Sequence, residues 1–288
     1  MSWFVYAFVC ALSLATADAL SKKVLDDNID PSIVAWVRTG YTLPFMVFVI
    51  PFLDKPKLDG VFYMAILLAV PLDTIALLLY MKAIKISPLS LTLPFLSLTP
   101  VFLIGTSYII LGEKPDKSGF IGIILVVIGA YLLNVHTISR GLFEPFKAIA
   151  KEQGSVLMII VAFTFSIAAC IGKIAIQHSE PIFFSIVYSI LLSFFLFLVI
   201  SFRTRQFFSK AISRPVPFLL IGVLITIMMI THVKAINLVE VSYMISVKRL
   251  SILFGVIYGV MFFKETNVKE RFLGATVMVS GIIMITVF

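Results

Sequence analysis

Ten stretches of this chain, residues 3–19, 31–53, 61–83, 89–111, 119–134, 156–176, 182–201, 217–236, 241–263 and 272–288, stay apolar for about the length a helix needs to cross a bilayer core. Lipid offers no partner for a backbone N–H or C=O, so each run has to close its own hydrogen bonds. Ten runs therefore predict ten transmembrane helices in an all-α membrane protein. The composition agrees: 60% of residues are hydrophobic, 13% are charged and mean hydropathy is +1.10, a balance no ordinary soluble domain has. The first run lacks a basic leading region and a convincing small-residue cleavage site, so it is expected to be a helix and not a signal peptide.

The formal net charge of +8 does not point to nucleic acid, because most basic residues fall in short loops at the ends of apolar runs, where a membrane protein places them. The expected surroundings are a lipid bilayer. Cys10 and Cys170, each inside an apolar run, support neither a disulfide framework nor a metal motif, and are expected to be small core residues. No H-E-x-x-H, G-x-S-x-G, P-loop, C-x-x-C or G-x-G-x-x-G motif is present, and His136, His178 and His232 are thin material for a nucleophile–base pair. No enzyme activity and no cofactor are expected.

The strongest organisational signal is an internal repeat. A shift of 152 residues lays Lys82-Ala83-Ile84 on Lys234-Ala235-Ile236, Ser90 on Ser242, Phe102 on Phe254, Glu113 on Glu265, Lys117 on Lys269, Gly122 on Gly274 and Gly129 on Gly281. Upstream the shift is 150, pairing Lys23 with Lys173, Asp30 with Glu180 and Pro31 with Pro181. Residues 1–135 and 155–288 thus form two five-helix halves joined by a linker at 136–154. Five is odd, so the second half enters the membrane from the opposite side, giving the inverted repeat that lets a central site face the two sides alternately. Lys and Arg are more frequent after odd-numbered segments than after even-numbered ones, which by the positive-inside rule puts both termini outside.

Ionisable residues inside the apolar runs carry the functional signal, since each costs roughly 2.5 to 3.5 kcal/mol near the bilayer centre on insertion scales. Lys248 and Arg249 sit side by side about seven residues into the ninth segment, roughly 10 Å deep at 1.5 Å per residue. Guanidinium forks a carboxylate or phosphate and ammonium adds a point charge, so the pair reads as an anion site; capping by carbonyls or by Asp73 is the structural alternative. Asp73, just after Pro71 in the third segment, is the candidate proton or cation relay, and an ion pair with Arg38 of the second segment is its alternative. Asp18 is read either as a second relay or as a helical partner of Lys22 one turn on. Trp36, Tyr41, Tyr80, Tyr188 and Tyr243 are candidate pathway aromatics, with Trp36 and Tyr243 joining Arg38, Lys248 and Arg249 as substrate-binding candidates. Glu113 and Glu265 are expected to organise helix ends, Ser251, Gly255 and Gly259 to form a close-packing stripe, and Pro44, Pro71, Pro94 and Pro100 to kink their helices.

The run from Ser87-Pro88-Leu89-Ser90 through Pro100 to Gly112-Glu113, then Gly122 and Gly129, with its second copy through Glu265, Gly274 and Gly281, resembles the EamA-type domain of the drug/metabolite transporter superfamily. Arg38 also falls where such domains often carry an Arg. Ser246-Val247-Lys248-Arg249-Leu250, followed by Phe262-Phe263, is similar to the ninth helix of plastid sugar-phosphate translocators, where a Lys–Arg pair grips phosphate. Those proteins use a further Lys in the fourth helix, at a place that Leu96 holds here. The resemblance implies a ten-helix secondary transporter with both termini in the cytoplasm, opposite to the charge distribution.

The expected function is export or exchange of a small organic metabolite, anionic or zwitterionic, by alternating access through a central cavity, with Asp73 carrying the proton if transport is proton-coupled. A singly charged organic anion, an amino acid or a carboxylated metabolite fits the lone cation pair. The alternative is a membrane binding or scaffold protein without transport. A bacterial-type inner membrane is the expected location, and no oligomer is required.

Overall fold

The computed structural model describes residues 2–27, 29–53, 56–87, 93–132, 153–202, 207–263 and 268–287. Every regular element among them is helical: α1 (Ser2–Asp26), α2 (Pro31–Gly40), α3 (Leu43–Val49), α4 (Gly60–Ile86), α5 (Leu98–Leu111), α6 (Lys117–Leu132), α7 (Gln153–Gln177), α8 (Pro181–Ser201), α9 (Phe207–Ala211), α10 (Pro215–Ile236), α11 (Val241–Lys248), α12 (Leu250–Phe263) and α13 (Val268–Val287). Six helical stretches within the first and second halves are long and apolar enough to cross a membrane, three in each half, and shorter apolar helices accompany them. Their outer surface is apolar, with Leu67, Ile109, Phe194 and Val216 more than half exposed, as the lipid-facing surface of a bundle must be.

Packing follows the repeat. The helix α1 lies on α10 and α12, and their repeat mates, α7 on α4 and α5, make the corresponding contacts. The halves interdigitate: each half's first helix packs mainly on the other half. Near the far end of the bundle α6 and α13, mates in the repeat, cross at glycines. A Cβ on Gly122 would stand 2.7 Å from the Gly281 carbonyl, and one on Gly129 would stand 2.4 Å from the Met278 amide nitrogen. Without side chains at these points the two backbones touch directly, which is how helices gain dispersion contacts where lipid removes the hydrophobic drive.

Contacts between chain connections tie like ends together. His178 after α7 meets Asp59 before α4 at 2.7 Å, and Arg214 before α10 meets Asp27 after α1 at 3.2 Å. Asp59 also caps α4 through the Phe62 amide, as Asp30 and Glu180, repeat mates, cap α2 and α8.

The structure revises several expectations. The second segment is not one helix: α2 stops at Gly40, and Pro44 opens α3 in its first turn, where a missing N–H costs nothing. Pro100 likewise lies in the first turn of α5, leaving Pro71 as the proline inside a helix among the described residues. Lys173, inside the sixth apolar run, is buried in α7. The linker expected at 136–154 lies outside the described residues up to 152, and α7 already begins at Gln153. Pro88 to Ser90 and Glu265 lie outside them as well. Cys10 and Cys170 are fully buried core residues, and Gly255 packs within the chain, 3.3 Å separating a Cβ placed there from Leu93.

Candidate functional site

The ninth segment, expected as a single helix over 241–263, is broken at the cation pair. The helix α11 ends at Lys248, and Arg249 donates its amide to both the Ile245 and Ser246 carbonyls at 3.1 Å while its own carbonyl accepts from Ile252 at 2.9 Å. This tightened turn restarts the chain as α12 at Leu250. The first half repeats the break: a 3-10 turn, Leu93–Ser97, precedes α5, which runs from Leu98 to Leu111, each end 152 residues before the ends of α12. Interrupted helices at matching places in two halves mark the binding region of inverted-repeat transporters, because freed backbone groups are tolerated there only beside a cavity.

A cavity of about 200 Å³ lies at this level, between the halves. Its lining is shared by repeat mates: Arg38 and Tyr188 under the 150 shift, then Asp73 and Ile225, Leu77 and Met229, Tyr80 and His232, and Leu96 and Lys248 under the 152 shift. The cavity therefore sits on the pseudo-symmetry axis. Its geometry is paired while its chemistry is not, since the repeat mates of the cations Lys248 and Arg249 are Leu96 and Ser97.

Arg38 does not pair with Asp73. Its Nη1 donates to Asp18 Oδ1 at 2.7 Å and to Ser21 Oγ at 3.2 Å, both side chains of the ion pair being about 5% exposed or less. The other Asp18 oxygen accepts from the Tyr80 hydroxyl at 2.7 Å, and the Arg38 guanidinium stands 5.7 Å from the centre of the Tyr80 ring. One turn of α1, the end of α2 and the later part of α4 are thereby locked together, with both carboxylate oxygens of Asp18 bonded. This also corrects the Asp18–Lys22 reading: Lys22 pairs with Asp26 at 3.4 Å and donates to the Ile84 carbonyl at 3.1 Å.

Asp73 takes its hydrogen bond from the Tyr188 hydroxyl, across from α4 to α8. Lys248 and Arg249 have no ion-pair partner among the described residues. Arg249 is 4% exposed and its Nε lacks a hydrogen-bond partner among them. Carbonyl capping, the structural alternative for this pair, thus leaves a buried guanidinium nitrogen unsatisfied, at a cost of about 1–3 kcal/mol or more for a charged group.

Three of the aromatic candidates stand away from the cavity. Tyr243 donates its hydroxyl to Asp116 at 2.9 Å, accepts the Asp116 amide at 3.0 Å and lies against Gly119, so it ties α11 to the start of α6. Trp36 packs on Tyr41 and Phe207 with its edge against Gly40. Tyr41 donates to the Ala211 carbonyl. His232 was missed as a lining residue; its signal is the repeat, which superimposes it on Tyr80.

Glu113 organises a helix end, as expected. Oε1 accepts from the Lys173 ammonium at 2.5 Å and Oε2 from the Val241 amide at 3.0 Å, while Lys173 also donates to the Val239 carbonyl at 2.8 Å. The end of the first-half helix α5 thereby caps the first turn of the broken second-half helix. Gly112 at φ +71° makes this possible, closing α5 in the left-handed conformation that glycine adopts without strain.

Two repeated halves, a lipid-compatible surface and a cavity at the junction of two interrupted helices define a multi-pass membrane protein of the repeat-built transporter class. The EamA-like transporter family matches residues 1–135 and 153–287, and the chain belongs to this family, within the drug/metabolite transporter superfamily. No curated protein matches the chain. A solved crystal structure of a protein of unstated activity is similar over 99% of this chain and 95% of its own, with a TM-score of 0.66 and 11% identity, which speaks for a shared fold alone.

Proposed function

We propose that the chain is a ten-crossing secondary transporter that moves a small organic metabolite, anionic or zwitterionic, by alternating access. Like-parity connections meet each other, as His178 meets Asp59 and Arg214 meets Asp27, which is what ten crossings require. The observation that carries the anion site is the buried Arg249, without an ion pair among the described residues, beside Lys248 at the break between α11 and α12, lining the cavity between the halves. Arg249 is buried and Lys248 partly buried, and with Arg38 the cations outnumber the nearby carboxylates, so an anionic group of the solute offsets the cost of the excess charge while it is bound. Arg38 adds a third cation to the wall. Asp73, the one carboxylate lining the cavity among the described residues, carries the proton if transport is coupled to protons. Rocking of one half against the other around this site exposes it to each side in turn.

Saturable uptake into proteoliposomes by the purified chain, tested over a panel of organic acids and amino acids, measures this directly. Binding of anionic ligands should fall at least tenfold in Lys248→Ala and in Arg249→Ala. Unchanged affinity in a folded double variant refutes the anion site. Asp73→Asn should flatten the pH dependence of uptake, and retained proton coupling removes Asp73 from the mechanism.

A further inference from the structure

Three cations serve the cavity: Arg38, Lys248 and Arg249 line it. Two carboxylates answer them. Asp73 lines the cavity and is held by Tyr188, and Asp18 lies behind the wall, bonded to Arg38 and Tyr80. The remaining titratable lining groups, Tyr80, Tyr188 and His232, are uncharged in their ordinary forms at about pH 8. Among the described residues the balance is therefore one positive charge.

Most of the remaining wall is apolar, with Leu14, Leu77, Phe165, Phe184, Leu192 and Ile225, while Thr39 and Thr99 add hydroxyls. A cavity of about 200 Å³ is below the 300–1,000 Å³ usual for drug-sized ligands. Between such walls a ligand that leaves net charge behind loses affinity, because the surrounding apolar side chains solvate that charge poorly.

We infer that Asp18, by cancelling Arg38, sets the valence of the transported anion: the cavity selects a monoanion with a compact apolar body over a dianion, a zwitterion or a neutral isostere. The inference rests on the anion-site reading above. Asp18 acts here as a positioning and charge-setting residue, holding the Arg38 guanidinium against α1 and subtracting its charge from the site. It touches no ligand itself.

The test is binding of a matched aromatic series to the purified full-length chain at about pH 8, read by calorimetry and ligand-dependent thermal shift: benzoate, phenyl phosphate, benzamide and phenylalanine. Benzoate should bind the unaltered protein at least tenfold more tightly than the other three. Asp18→Asn raises the balance to two positive charges and should shift the preference at least tenfold toward phenyl phosphate, a change that a merely structural role of Asp18 would not produce; Asp18→Glu should restore benzoate. Lys248→Gln, which leaves the Asp18 network intact and so keeps the test alive if Asp18→Asn fails to fold, should erase the preference for benzoate over benzamide. Binding of none of the three anionic or zwitterionic probes at any concentration reached overturns the anion site itself. Binding of benzoate with an unshifted preference in Asp18→Asn overturns the charge-setting role while leaving that site standing, and undiminished discrimination in Lys248→Gln overturns the anion site at Lys248 on which the inference rests. A preference of the unaltered protein for phenyl phosphate or phenylalanine overturns the charge count.

Discussion

The clamp between Glu113 and Lys173 offers the sharpest energetic prediction. Their side chains are 17% and 7% exposed and meet at 2.5 Å, each with a second bond, to the Val241 amide and the Val239 carbonyl. Glu113→Gln leaves the Lys173 ammonium buried with a single carbonyl, and breaking a buried pair from one side costs about 3–5 kcal/mol. The residual exposure of Glu113 puts the expected loss near the lower limit, about 3 kcal/mol. Lys173→Met should cost about 2 kcal/mol, because the remaining carboxylate keeps the Val241 N–H and is partly hydrated. In the double variant both charges are gone and glutamine still accepts from Val241, so the two losses should fall short of additivity by about 1.5–3 kcal/mol. Equilibrium unfolding of the four proteins in detergent, followed by helical circular dichroism, gives the cycle. Additivity within about 0.5 kcal/mol would refute the reasoning, since it would mean that the two groups do not hold each other.

Three further outcomes are expected. Gly129→Ala places a methyl 2.4 Å from the Met278 backbone nitrogen, so α6 and α13 must separate, and unfolding should show a loss of about 1–3 kcal/mol. Tyr243→Phe removes the bonds to Asp116 but no cavity group, so it should cost about 1 kcal/mol of stability and leave ligand affinity within twofold; a large loss of affinity would return Tyr243 to the substrate pathway. The Phe62 N–H, then His178, holds the exposed Asp59 carboxyl below the usual carboxylate range. Its contribution is thus present above the ordinary carboxylate pKa and lost as pH falls through the lowered folded value, so the acid side of the stability profile, below about pH 4, should be less steep in Asp59→Asn. An unchanged acid profile would show that this cap does not sense pH.

The bundle was legible in the amino-acid sequence to an unusual degree, for a physical reason. In lipid each apolar run has to be helical by itself, so its identity is written locally, and the repeat adds a second reading of every position. The break in the ninth segment was not legible, because nothing in Ser246 to Ser251 forbids helix; the turn at Arg249 is set by what α11 and α12 pack against. The prolines misled for the opposite reason. A kink or a helix start looks the same in sequence, and only the partner of the missing N–H distinguishes Pro44 from Pro71.

What the sequence determined alone was the helical membrane class, the two halves and the positions paired between them, including the pairing of His232 with Tyr80 that the structure turns into two facing walls of one cavity. It also marked Lys248, Arg249, Arg38, Asp73 and Asp18 as the charges needing an explanation. Which charge answers which was decided by the tertiary structure. Asp18 and Arg38 are twenty residues apart on different helices, Tyr80 is sixty-two residues from Asp18, and their union depends on how α1, α2 and α4 are rotated against one another. Local pattern fixes a helix but not its rotation, because in lipid several faces are apolar enough to turn outward. Packing at the glycine crossings and the pairing of buried charges choose among them, and that choice leaves Arg249 Nε without a hydrogen-bond partner among the described residues, beside the cavity.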